Sequence, residues 1–209
     1  MKWGSVAKLN LDHALSPAFD RFAELLGRRL GRGVFTSEDA VRYTFFAGLL
    51  EGLNLAPEDI ILEHDHSKIS KAKIDTFIPR SSGESFAIEF KYDRPIPSKG
   101  NQPRTQKAGQ VIKDFFRLAR FDESENIKGV FIYLTSKEMA GYFRNPQNGL
   151  ARLFDLAQGS TIRIDEIFLQ AMASTLRGAA GDICPCTAAG LFSCALPADH
   201  ELRIYEVRP

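Results

Sequence analysis

The sequence predicts an α/β fold in which a mixed central sheet is flanked by helices, its core running helix, three strands, helix, strand. Three observations predict it. Residues 73–93, KIDTFIPRSSGESFAIEFKYD, read as two strands around a turn. TQKAGQVIKDFFRLARF carries apolar residues at i, i+3 and i+4, and GVFIYLTS (129–136) is a nearly continuous apolar run of strand type. A strand, a helix and then a strand buried on both faces make a βαβ unit, with a right-handed crossover expected.

In chain order, Ser16 is a good helix N-cap with Pro17 at the first helical position, and Phe19, Phe22, Ala23, Leu26 and Leu30 recur at helical spacing until Gly31. A second helix opens at TSEDAVRYTFFAGLL, where Thr36 or Ser37 caps and Asp39 can complete a capping box with Thr36. Val41, Phe45 and Leu49 form its buried stripe and Gly52 ends it. DIILEHD (59–65) reads as a strand before the hairpin, and Arg94 to Gln102, rich in Pro, Gly and Lys, as a mobile or substrate-contacting loop. In the helix that follows, Ala108, Val111, Ile112, Phe115, Phe116 and Ala119 line one face, while Gln106, Gln110, Lys113 and Arg117 stay polar.

Beyond residue 136, SKEMAGYF reads as a helix, LARLFDL (150–156) fits helix or strand, and TIRI (161–164) reads as a strand. DEIFLQAMASTLRG reads as one helix, and LFSCALPADHELRIYEV as a hairpin closing the sheet. The expected organisation is one domain over 1–209, with its core at about 36–136. The helix at 16–30 and the elements of 137–209 are then additions to it.

Composition narrows the function. Hydrophobic residues at 44% and charged residues at 25% are ordinary for a globular chain. No apolar run approaches the roughly 20 residues of a membrane span, and MKWGSVAKLNLDHALSP lacks the apolar core of a signal peptide. Three cysteines, an odd number, argue against a disulfide framework and for a reducing, cytoplasmic setting. The net charge of +1 is uninformative, but its distribution is not. From Lys91 to Arg120 eight basic residues face only Asp93 and Asp114, a local balance of +6 that Asp122, Glu123 and Glu125 help to cancel. Such a stretch suits a phosphate-binding surface, or a solvated helix face.

The strand FAIEFKYD alternates. Phe86, Ile88, Phe90 and Tyr92 fall on one face, and Ala87, Glu89, Lys91 and Asp93 on the other. If Asp75 sits opposite Glu89, the hairpin is centred on Ser82 and Ser81-Ser82-Gly83 becomes a three-residue loop with glycine where positive φ is needed. Directly opposed Cβ atoms lie about 4.5–5.5 Å apart. Two carboxylates so placed repel each other, and a divalent cation between them removes the conflict. Lys91, two residues on, projects from the same face. Oxygen ligands with room for water and phosphate suit Mg²⁺ or Mn²⁺ better than zinc, and the set fits phosphodiester hydrolysis.

Asp75, thirteen intervening residues and then Glu89-Phe90-Lys91 resemble the motif of the PD-(D/E)XK nuclease superfamily, the restriction-endonuclease-like fold. The resemblance covers roughly residues 36 to 136. It implies that Asp75 and Glu89, with the carbonyl of Phe90, bind the metal, and that Lys91 positions or activates water. Glu38 matches by position the glutamate that many members carry on the preceding helix. The aspartate usually follows a proline, here Ile74, but that proline has no chemical duty.

Weaker signals remain open. Glu38 also suits the first turn of a helix simply by offsetting the macrodipole. Relatives often place a glutamine or lysine from the following helix near the scissile phosphate, where Lys107 and Gln110 stand; with Lys113 and Arg117 they form the expected nucleic-acid contact. His64 and His66 read as surface or edge residues, with Glu63 or Asp65 able to supply a fourth acid. Cys184, Cys186, Cys194 and His200 fit zinc spacing poorly and read as ordinary buried cysteines beside a histidine. The expectation is therefore a Mg²⁺- or Mn²⁺-dependent nuclease acting on DNA. The alternative is a binding or assembly module of the same fold that does not cleave. A hydrolase of small phosphoesters is disfavoured by the long basic stretch. Monomer and homodimer both stay open, since duplex cleavage by a single-site fold often takes two copies.

Overall fold

The computed structural model describes residues 14–80, 84–93, 103–121 and 126–209. Its strands are β1 (Ile61–Asp65), β2 (Lys73–Ile78), β3 (Ser85–Asp93), β4 (Ile127–Ser136), β5 (Thr161–Ile164), β6 (Cys186–Leu196) and β7 (His200–Arg208). They form one seven-stranded mixed sheet in the order β1-β2-β3-β4-β7-β6-β5. The β3–β4 pair is parallel and joined through a helix, as a βαβ unit requires; the other pairs are antiparallel. The helices are α1 (Ser16–Gly31), α2 (Glu38–Leu53), α3 (Arg104–Ala119), α4 (Lys137–Arg144), α5 (Ala151–Phe154), α6 (Glu166–Gln170) and α7 (Ser174–Ala180).

Helices cover both faces of this sheet, and β4 shows why its sequence is apolar throughout. Val130, Ile132 and Leu134 pack with Phe19, Phe22, Val41 and Phe45 of α1 and α2. Phe131 and Tyr133 point the other way, into a cluster with Val111, Ile112 and Phe115 of α3. The central strands therefore bury both rows of side chains, which a three-layer α/β/α arrangement demands. Among the described residues no helix is long and apolar enough to cross a membrane.

Several elements differ from the sequence expectation. Helix α1 begins one residue early, from buried Leu15, so Ser16 is helical and contributes no side-chain cap. Ser37 alone caps α2, accepting from the Ala40 N–H at 3.1 Å; the Thr36 hydroxyl donates to Val34 O instead of joining Asp39. Gly52 lies inside α2, which ends at Asn54 in the left-handed region. The predicted strand at 59–65 shortens to β1 behind a single 3₁₀ turn, Pro57–Asp59. The ambiguous stretch at 150–156 contains the short helix α5. The single helix expected over 165–178 is two, because Ala173 is extended at ψ 142°. The break lets α7 settle on α3, where a Cβ at Gly109 would stand 2.4 Å from that of Ala179. The C-terminal hairpin forms but does not close the sheet: β7 inserts beside β4, and β5 takes the edge. The loops Ser81–Gly83 and Arg94–Gln102 lie outside the described residues, as do Asp122, Glu123 and Glu125.

Candidate active site

The site begins where two strands part. Residues pair across β2 and β3 as Thr76–Ile88, Phe77–Ala87 and Ile78–Phe86, a register centred on residue 82 that carries Asp75 towards Glu89. The paired residues stop at Thr76, while β2 stays paired with β1 as far as Lys73. At the fork, side chains satisfy the backbone of β3. Asp75 Oδ2 accepts from the Phe90 N–H at 2.9 Å, and Glu38 Oε2 accepts from the Tyr92 N–H at the same distance. Because the N–H and C=O of one strand residue point to the same edge, the Phe90 carbonyl opens on this fork too. Lys91 Nζ lies 3.9 Å from Glu38 Oε2. Asp75, Glu89, Lys91 and Glu38 are thus gathered at one place, although Glu38 comes from the opposite layer.

The charged face of β3 is not wet. Glu89 is fully buried, its carboxyl pushed well above the usual range by burial and then by the Asp75 carboxylate, against the pull of Arg117. Each of the two carboxylates expected to bind the metal is held by an arginine. Arg42 Nη2 donates to Asp75 Oδ1 at 2.7 Å and its other arm reaches Glu63. Arg117 bonds Glu89 Oε2 and lies 3.6 Å from Asp114. Arg117 is therefore not the solvated helix residue its sequence position suggests. Among the described residues four buried side-chain polar atoms have no hydrogen-bond partner, and three of them are here: Glu89 Oε1, Arg42 Nε and Arg117 Nε.

Helix α3 supplies a polar stripe at steps of three and four residues: Lys107, Gln110, Asp114 and Arg117. It runs against the charged row of β3, with Lys107 Nζ 4.0 Å from Asp93 at one end and Arg117 on Glu89 at the other. Asp114 is 9% exposed and burial pushes its carboxyl up to about 6. Asp93, also buried, accepts from the Tyr133 hydroxyl at 2.7 Å, and burial raises it as well. Burial raises Glu38 too, with Lys91 opposing. Lys113 points to solvent and Gln110 is half-buried.

Arg42, Asp93 and Asp114 were not among the residues expected to act. Two of them left a signal: Arg42 stands one turn after Glu38, and Asp114 completes the spacing of Lys107, Gln110 and Arg117. His66, expected at a surface or edge, is buried beyond the end of β1; its Nε2 is 3.0 Å from the Arg117 carbonyl and its Nδ1 accepts from Lys68 and Ile69 N–H groups. It braces the end of α3 that carries Arg117. His64 stacks on Phe77 at 4.6 Å. The three cysteines are free, only Cys186 is fully buried, and His200 Nε2 meets the Tyr92 hydroxyl at 2.9 Å.

Among the described residues no three His, Cys, Asp or Glu side chains converge as a ready metal cage. The donor set at the fork still fits a hard divalent cation: carboxylate oxygens, one of them the buried and unpartnered Glu89 Oε1, with a backbone carbonyl alongside. No family model matches the chain, and neither a curated protein nor a solved structure matches it.

Proposed function

We propose that this chain is a metal-dependent nuclease acting on DNA, with a restriction-endonuclease-like core in α2, β1, β2, β3, α3 and β4. The observation that carries the reading is the fork itself, where Asp75, Glu89, Lys91 and Glu38 meet around the Phe90–Tyr92 backbone. Asp75, Glu89 and the Phe90 carbonyl would hold Mg²⁺ or Mn²⁺. When bound, such an ion supplies Lewis-acid polarisation of a phosphate oxygen and a more acidic water.

The rest falls to the chain. Lys91, 3.9 Å from Glu38, would position or activate the attacking water. Lys113 and the basic α3 attract the phosphate backbone. Burial of Glu89 excludes bulk water from one side of the reaction. One observation favours a second reading, a module that binds DNA without cutting it: arginines already neutralise both carboxylates that would hold the ion.

Incubation with supercoiled, linear and single-stranded DNA, in Mg²⁺, Mn²⁺ or EDTA, separates the two. Lys91→Ala is expected to slow cleavage by roughly 10²–10⁴-fold, the usual worth of a positioned proton-transfer group, while keeping its metal affinity. Asp75→Ala is expected to lose both. DNA binding without cleavage by the wild-type chain in either metal selects the non-cleaving module. Full cleavage by both folded variants would end the nuclease reading at this fork.

A further inference from the structure

We infer that Arg42 and Arg117 are exchangeable arms. Each holds one carboxylate of the fork until a cation takes that carboxylate, and then turns its guanidinium to a DNA phosphate. The inference rests on the nuclease reading above and adds to it a phosphate site made of two arginines from opposite layers.

Three features carry it. First, each arginine has two carboxylate partners: Arg42 bridges Asp75 and Glu63, and Arg117 bridges Glu89 and Asp114. Released from Asp75 or Glu89, each keeps a second carboxylate partner, Glu63 or Asp114. Four carboxylates against two guanidinium groups also leave two negative charges when fully ionised, which one divalent cation balances. Second, each guanidinium has donor capacity to spare, since the Nε of both is buried and unpartnered. A guanidinium presents five N–H donors in a flat fork that matches phosphate oxygens, so a bidentate anion satisfies what the carboxylates leave over. Third, the second partner of Arg42 is held under strain. Glu63 adopts φ 55° within β1, a left-handed conformation rare for a side-chain-bearing residue in a strand. Such strain persists where the surroundings impose it, and here it accompanies the contact to Arg42. The Arg42 and Arg117 side chains are 15% and 31% exposed, so both reach the solvent edge where a phosphate arrives.

The test measures duplex-DNA affinity in Ca²⁺ and in EDTA for the wild type, Arg42→Gln, Arg117→Gln and, as a control, exposed Lys113→Gln. Ca²⁺ takes the same kind of oxygen ligands, and calorimetry of the wild type reports whether it binds. The wild type is expected to gain affinity with Ca²⁺. Each arginine variant is expected to lose roughly tenfold of the affinity in Ca²⁺, the scale of a charged hydrogen bond, and to change little in EDTA, where its arm is engaged by the carboxylate. Lys113→Gln is expected to lose equally in both. If Arg117→Gln fails to fold, Arg42→Gln alone decides. Equal losses by the arginine variants in Ca²⁺ and EDTA overturn the exchange, as does Ca²⁺ binding that leaves wild-type DNA affinity unchanged. A wild type that binds no Ca²⁺ also overturns the exchange, while cleavage in Mg²⁺ or Mn²⁺ decides the nuclease reading separately.

Discussion

Asp114 carries the clearest consequence at the scale of a residue. Its carboxyl rises from the ordinary 3.8 to about 6, so the folded chain holds this proton at pH values where the unfolded chain has released it. An acid raised in this way stabilises the fold fully only below its unfolded pKa, and the contribution is lost as pH climbs to about 6. That gap corresponds to roughly 3 kcal/mol at most. Asp114→Asn removes the charge at a site that disfavours it. The variant is expected to match the wild type near pH 4 and to exceed it by about 1–3 kcal/mol at pH 7.5, read by urea unfolding. A difference that is the same at both pH values would mean that burial does not govern this carboxyl. Glu38, Glu89 and Asp93 are raised by burial as well, so each adds to the stability that the wild type loses as pH rises.

At the scale of an element, the packing of α1 on α2 decides where Glu38 and Arg42 stand. Gly52 permits that packing. A Cβ there would meet Pro17 O at 2.7 Å and Ala18 Cα at 2.8 Å, both backbone atoms with little room to give. Two effects of Gly52→Ala compete. Helix propensity favours alanine by about 1 kcal/mol, while overpacking against rigid neighbours costs about 1–3 kcal/mol. Contacts under 3 Å to backbone make the second the larger. The substitution is expected to destabilise the chain by about 1–2 kcal/mol and to weaken any activity that needs Glu38. A stabilised variant in thermal unfolding would show that α1 and α2 can move apart freely.

For the whole molecule, the two layers meet at one acidic fork, so a cation bound there would tie α2, the sheet and α3 together. Saturating Mg²⁺ is expected to raise the melting temperature. A ligand at 100 times its dissociation constant adds about 2.7 kcal/mol when it binds only the folded state. The shift should be larger at pH 8 than at pH 5, because the raised carboxyls keep protons that compete with the metal at the lower pH. Scanning calorimetry at the two pH values, with EDTA as the control, checks it. An equal shift at both would place the ion away from Glu89.

Local pattern by itself determined the hairpin register, the buried strand β4 and the amphipathic face of α3. Each rests on a spacing of two or 3.6 residues that any chain segment obeys before it meets its neighbours. The register it determined is centred on residue 82, as expected, although the pairing of the two strands stops at Thr76 and Ile88, one step short of Asp75 and Glu89. Tertiary structure decided what those charges touch. Alternation assigned Glu89 a face without saying what covers it, and in the fold it is fully buried with Arg117 of α3 against it. Gly52 looked like a helix end because glycine usually is one, until close approach of α1 gave it a packing duty. Arg42 and Arg117 lie 33 and 28 residues from the carboxylates they hold, and only the folding of helices onto both sides of one sheet brings them there.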